Sequence, residues 1–449
     1  MKEKLLAALI LSVALPAAAD STDPSRVAGS VGELTPALDS SGAGGDIRFK
    51  LGGSAGAASI TDYKNGRVEI FNALAFQPEL SLGKLGLGFD FYMYFDHDGN
   101  IRKQDWDSAS DIVTKLWYAR WGQKGEPLYA RLGGLPSASL GHGFIMGGYS
   151  NRRRYPDVRQ VGAQLDMDFG FVGFESVLTD VQRADIMGGR VFVRPLSSDT
   201  SSFAGGLALG LTAVSDFNPD GDHHSDYDQV SVFGADADLP MVRSGALSAT
   251  LFTDVAMMRL GRRYREKGCL NHGRGMAAGI KGNAAFIDYR AEMRAMEENF
   301  IPNFFDGFYE LDRSTAGVLK ADGVAKTRNP GRRGPLVALG TDILGKVRLG
   351  ASYEDLNVDP LGVYPRVRGE VRIDPSLFMG KLDFASTYER RNAETFKSFS
   401  RARNKNTFIT TEIGAVLKDN LRVAVVLTQT YDDNGNPVRA TQVRADLRF

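Results

Sequence analysis

The chain has 449 residues, 43% hydrophobic and 24% charged, with Lys+Arg and Asp+Glu balanced at 54 each. That is too apolar and too evenly charged for a disordered protein, and no global basicity calls for nucleic acid. A single cysteine excludes an internal disulfide, and no Cys/His set has zinc spacing.

The chain starts with two lysines inside Met1–Lys4, then an apolar run from Leu5 to Leu15, then Pro16-Ala17-Ala18-Ala19-Asp20. A charged head, a short apolar stretch and a small-x-small site predict a signal peptide over 1–19, cleaved after Ala19. The run falls short of the ~20 residues that a spanning helix needs, and no later run reaches that length. Residues 20–45 are rich in Ser, Gly and Ala and are expected to be a flexible segment too short to fold as a plug. Residues 46–449 are expected to form one domain.

Within that domain apolar and polar residues alternate. Leu85, Leu87, Phe89, Phe91, Met93 and Phe95 alternate with Gly86, Gly88, Asp90, Tyr92 and Tyr94. Val161, Ala163, Leu165 and Met167 oppose Gln160, Gly162, Gln164, Asp166 and Asp168. Ile287, Tyr289, Ala291 and Met293 oppose Asp288, Arg290, Glu292 and Arg294. Further on, Val347, Leu349 and Ala351 oppose Lys346, Arg348 and Gly350, and Val367, Val371 and Ile373 oppose Arg366, Arg368, Glu370 and Arg372. At the end, Thr441, Val443, Ala445 and Leu447 oppose Gln442, Arg444, Asp446 and Arg448. Period two marks strands with one apolar and one charged face.

A soluble β-sandwich alternates too, by packing its apolar faces together. The connections argue against one. Tight connections are read at Phe169-Gly170, Lys281-Gly282-Asn283, Leu344-Gly345 and Lys418-Asp419-Asn420, and long polar ones at 96–111, 135–157, 260–274, 298–334 and 391–406. Short turns on one side and long loops on the other are the habit of transmembrane barrels. Backbone groups in hydrocarbon must all be paired, so spanning strands have to close. The prediction is an all-β, antiparallel up-and-down transmembrane barrel of about 18 strands, 16 to 20 being acceptable.

The terminal Phe449, preceded by Val443, Ala445 and Leu447, resembles the C-terminal signature of Gram-negative outer-membrane barrels, with a smaller residue at Ala445 than that family prefers. The resemblance implies an outer-membrane location, outer-membrane lipid and lipopolysaccharide as surroundings, and recognition of Phe449 by the barrel assembly machinery. It leaves the oligomeric state open, with a homotrimer among the outcomes.

A barrel of this width with charged inward faces should be wet. Residues 200–256 hold eight acids, including Asp236, Asp238 and Asp254, against one base, Arg243. The last strands are basic on the inward face, through Lys346, Arg348, Arg366, Arg368, Arg372, Arg422, Arg444 and Arg448, partly offset by Glu370, Glu412 and Asp446. Opposed acidic and basic walls are similar to those of general porins. Candidate pore-lining residues are therefore Asp166, Asp168, Asp236, Asp238, Arg290, Arg294, Lys346, Arg348, Arg366, Arg368, Arg372 and Arg444. The segment 136–156 is Gly-rich, carries Phe144, Ile145 and Met146, and ends in Arg152-Arg153-Arg154. Its apolar content suggests inward packing, and it resembles the constriction loop of porins in position and length. That makes Arg152, Arg153 and Arg154 candidates for the narrowest point.

Other clusters have two readings. Asp216, Asn218, Asp220 and Asp222 match the opening of a calcium loop, D-x-N-x-D-G, but Tyr227 stands where the bidentate Glu belongs, and a plain solvated turn competes. Asp96-His97-Asp98-Gly99-Asn100 reads as turn chemistry. The adjacent His223 and His224 are a weak metal pair. The bases of 257–281, and Arg391, Lys397, Arg401, Arg403 and Lys405, would meet lipopolysaccharide phosphates or draw anions to the mouth. Phe300, Phe304, Phe305, Phe308 and Tyr309 read most simply as an interfacial girdle, with an apolar solute track or a folded cap as alternatives. No histidine can be tied to a nucleophile, so no enzyme is expected. The expected function is a passive channel for small hydrophilic solutes. A carrier of hydrophobic or specific solutes and a non-conducting surface barrel are the alternatives.

Overall fold

Period-two alternation becomes a ring of twenty strands. The computed structural model describes residues 47–448 apart from 63–66, 153–157, 198–202, 222–227, 245, 267–271, 298, 316–317, 322–330, 357–364, 392–406, 419 and 432–436. The first ten strands are β1 (Ile47–Asp62), β2 (Arg67–Leu82), β3 (Leu85–Phe89 with Phe91–Phe95), β4 (Leu116–Trp121), β5 (Leu128–Gly133), β6 (Gly162–Asp168), β7 (Val172–Leu178), β8 (Ile186–Val193), β9 (Ala208–Asp216) and β10 (Val230–Arg243). The second ten are β11 (Leu247–Leu260), β12 (His272–Ala284), β13 (Ile287–Met296), β14 (Arg332–Ile343), β15 (Val347–Glu354), β16 (Arg366–Ile373), β17 (Leu382–Arg390), β18 (Thr407–Lys418), β19 (Leu421–Tyr431) and β20 (Pro437–Arg448).

Each strand pairs antiparallel with its predecessor, and β20 returns to β1 from Lys50↔Arg448 to Gly56↔Gln442, which closes the ring. The number is the top of the expected range, above the central 18. Asp90 interrupts β3: its N–H leaves the ladder for the carbonyl of Lys115 at 2.8 Å, and the register against β4 slips between Gly88 and Phe89. Both halves of β3 lie against β2, so they count once.

Alternation sets the two faces. Phe76, Leu211, Val255, Met293 and Leu339 are exposed on the outside, Leu211 by 69%. A belt of such residues around a closed sheet is the lipid-facing band of a membrane barrel. On the inside, Lys50, Glu79, Asp166, Arg190, Asp236, Glu292 and Arg444 are buried. No helix among the described residues is long and apolar enough to cross a membrane.

Connections at one end are short, at 83–84, 169–171, 285–286 and 344–346, and at the other they are long, at 96–115, 134–161 and 297–331. Leu344 and Gly345 both have positive φ, 56° and 67°, as the central residues of a turn closed by Lys346 N–H donating to the Ile343 carbonyl at 2.9 Å. One expected turn is displaced. Lys281, Gly282 and Asn283 belong to β12, whose pairing with β11 runs on to Leu247↔Ala284, and the chain reverses at Ala285-Phe286 instead.

Candidate functional site: the barrel interior

Two long loops fill part of the lumen. The loop between β5 and β6 starts at Gly134 and buries Leu135, Leu140, Phe144, Met146 and Tyr149 almost completely. The loop between β13 and β14 meets it. Met146-Gly147 pairs in parallel with Phe305-Asp306, Asn303 N–H donates to the Phe144 carbonyl at 2.6 Å, and Phe144 stacks on Phe300 with centroids 5.4 Å apart. Phe300, Phe304, Phe305, Phe308 and Tyr309 are each no more than 1% exposed. This corrects the girdle reading: the aromatic run is the core of an inserted cap, because rings this numerous are most stable packed on one another away from water.

Side chains of the wall fix both loops. His142 Nδ1 lies 3.0 Å from both carboxylate oxygens of Asp254 on β11, and its Nε2 lies 2.9 Å from Asp238 on β10. An imidazole facing a carboxylate at each nitrogen donates to both only as the imidazolium. Burial opposes that charge, but the two carboxylates outweigh it and raise the His142 pKa above its ordinary value. Gly141 N–H donates to Glu175 at 2.8 Å, and Asn151 ties the loop base to Leu135 N–H at 2.8 Å. Tyr149 donates to Glu310 at 2.5 Å, which joins the two loops. Arg313 reaches Asp185 and Asp216 and also donates to the backbone carbonyls of Asn218 and Pro219. Asp306 meets Lys320 at 3.6 Å and Arg366 of β16 at 3.1 Å.

The residues singled out from sequence fall into three groups. Most are used in ion pairs against the wall or the cap. Asp236 takes a bidentate Arg190 at 2.6 and 2.9 Å; Asp238 takes His142 and Lys281; Asp166 takes Lys124 and Asp168 takes Arg194. Arg290 and Arg294 both hold Glu292, Arg294 also holds Glu354, Arg366 holds Glu389, and Arg444 holds Glu412 and Asp446. Arg152 is buried, its guanidinium 3.2 Å from the Trp117 ring centroid. A second group stays exposed on the inward face: Arg348, Arg368 and Arg372 of β15 and β16, with Arg348 directly opposite Arg372. The third is misplaced or undescribed. Lys346 lies in the short turn 344–346, at the rim, not the waist. Arg153, Arg154, Asp222, His223, His224, Cys269 and Phe449 lie outside the described residues.

The calcium reading meets a competitor in this geometry. Asp216 accepts from Tyr309 at 2.8 Å and from Asn218 N–H at 3.0 Å, and the Arg313 guanidinium lies 3.4 Å from the oxygen that takes Asn218. A cation there would have to displace a buried arginine. Arg391, read as part of an outer basic loop, turns inward to Asp312 at 2.6 Å and lies 3.6 Å over Phe308. The turn reading at 96–100 matches the contacts: Asp96 accepts from the N–H groups of Asp98 and Asn100, and Gly99 has φ 81°. Sequence reading missed His142, Glu310 and Arg313, whose partners on other elements lie 96 to 161 residues away. The only signal was a lone histidine inside an apolar loop.

No family profile and no curated protein matches the sequence. Solved structures similar to it include Pseudomonas aeruginosa OccK5 (OpdH), at 11% identity and TM-score 0.37, covering 90% of this chain and 98% of that one. Pseudomonas aeruginosa OccK2 (OpdF) in complex with glucuronate is similar at 10% identity and TM-score 0.35, covering 90% and 96%. Acinetobacter baumannii OccAB2 is similar at 11% identity and TM-score 0.33, covering 90% and 98%. The closed antiparallel ring, its apolar outer belt and its inserted loops make this chain a transmembrane β-barrel of the outer-membrane type, porin-like in build.

Proposed function

We propose that the barrel is a passive channel for small hydrophilic solutes, with a preference for anions. The observation that carries this is the wall of β15 and β16. Arg348 faces Arg372 across one strand gap, and Arg368 stands on the same inward face, all three exposed. Like charges placed opposite each other are unfavourable unless water or counter-ions surround them. Such an arrangement favours water, and room for an anion, beside this wall. Elsewhere most inward charges are buried in pairs. Here Arg348 has only a solvated bridge to Asp342 and Glu370 shares the face, so three arginines against two acids leave a net positive field at this wall. The aromatic run at 300–309 is spent on packing the cap, where its rings are buried and not open to a hydrophobic solute.

Reconstitution into planar bilayers tests the reading. Discrete conductance, a reversal potential on the anion side in a salt gradient, and swelling of liposomes in small sugar acids are expected. A silent bilayer with correctly folded protein would leave a structural or adhesive barrel.

A further inference from the structure

The outside of the barrel carries a second feature. Across β9 to β13 lies a concavity of about 1100 Å³, lined on the outer face by Leu211, Phe233, Val255, Met257, Met276 and Ala295. At its loop-side rim Arg259, His272, Arg274 and Arg333 are exposed. Strand parity turns all four outward: Arg259 is opposite His272, Arg274 is opposite Met257, and Arg333 is opposite Ala295. Glu297, also exposed, is one acid at this rim. Among the described residues, the other outward charges at the loop end of the strands include Asp355, half-buried just past β15, Arg390, which is buried, and Arg439. Three arginines and His272 thus stand with two acids, Glu297 and Asp355, at this rim, and the basic groups are in excess above one groove.

Arginine on a lipid-facing wall is unfavourable within hydrocarbon and nearly free at the interface, where phosphates sit. Guanidinium groups bind phosphate with paired hydrogen bonds. The rim runs from β11 to β14, three strand spacings of ~4.8 Å each, wider than one phosphodiester headgroup. We propose that this groove holds one molecule of a multiply acylated lipid carrying two phosphates, with acyl chains against Phe233, Val255 and Met276 and phosphates on Arg259, Arg274 and Arg333. The occupant fits by charge: a second copy of this chain would bring the same basic rim. The assignment needs only the membrane barrel, not the channel reading.

The test uses the full-length barrel in detergent, titrated with purified bisphosphorylated lipid A and followed by native mass spectrometry. The wild-type protein should retain one lipid A. The combined variant Arg259→Ser, Arg274→Ser and Arg333→Ser should bind at least tenfold more weakly. Ala235→Trp, which fills the groove and keeps the rim, should lose the lipid as well. Heat-modifiable gel mobility identifies folded variants, and Ala235→Trp serves if the arginine variant fails to fold. Equal retention of fully dephosphorylated lipid A, or of phosphatidylglycerol, would overturn the proposal. So would a change of oligomeric state in Ala235→Trp with lipid retained, since the face would then be a subunit contact.

Discussion

The interior faces of β9–β11 and of β15–β16 both carry inward charge, yet they have opposite fates. On β9–β11 every named acid is met by a base: Asp216 by Arg313, Asp236 by Arg190, Asp238 by His142 and Lys281, Asp254 by His142. Asp216, Asp238 and Asp254 thereby hold the inserted loops, whereas Asp236–Arg190 and Asp238–Lys281 tie strands of the wall together. On β15–β16, Arg348, Arg368 and Arg372 remain exposed. Inward charge in a barrel thus serves two ends: against a loop it is a fastener, and against water it is a field. Sequence parity assigns the face but cannot say which, because the partner comes from a loop far away in the chain.

Substitutions should separate the two roles. The largest effect is expected from Arg313→Ala, which strands Asp185, Asp216 and Glu310 in a buried site. Breaking a buried network of this kind costs ~3–5 kcal/mol, and the midpoint of heat-induced gel mobility change should fall while the conducting wall stays intact. Next comes the combined change of Arg348, Arg368 and Arg372 to Ser. It should lower anion over cation permeability several-fold at unchanged thermal midpoint; an unaltered reversal potential would remove these residues from the ion path.

His142→Gln should act more modestly and through pH. The folded pKa of His142 is raised, so its contribution is fully present below the ordinary histidine value and is lost as pH rises through the folded one. Asp238, Asp254 and Lys281 face it directly, with Asp236 and Arg290 nearby. Wild-type current should grow noisier on going from about pH 6 to about pH 9 as the loop anchor weakens, whereas the Gln variant should be noisy throughout. The smallest effect is expected for Asp342→Asn. Its bridge to Arg348 is 3.0 Å long but the side chains are 41% and 55% exposed. A solvated pair of this type contributes ~0–1 kcal/mol, so the thermal midpoint should scarcely move.

How legible the molecule was in its sequence follows from the range of each signal. Alternation is local, and the faces of 85–95, 161–168 and 287–294 were readable from side chains two residues apart. The strand count was less so, because β4 and β5 are six residues each and offer few alternations. The inward turn of the 134–161 loop was legible from Phe144, Ile145 and Met146, which an exposed loop would not carry together. The aromatic run at 300–309 was misassigned, because a girdle and a cap have the same composition and differ only in what lies opposite. The fasteners were invisible: nothing near His142 marks Asp254, 112 residues on.

The join between the first and last strands has a bearing on biogenesis. Lys50 is opposite Arg448, and the join is zipped by seven residue pairs against sixteen between β1 and β2. Hardly any contact in the molecule spans more chain, and such long-range contacts form late. A nascent polypeptide stopped anywhere before β20 leaves the N-terminal edge unpaired, which hydrocarbon does not tolerate. Until β20 meets β1, both edges of the ladder keep unpaired backbone groups, so this short join is the contact that completes the sheet.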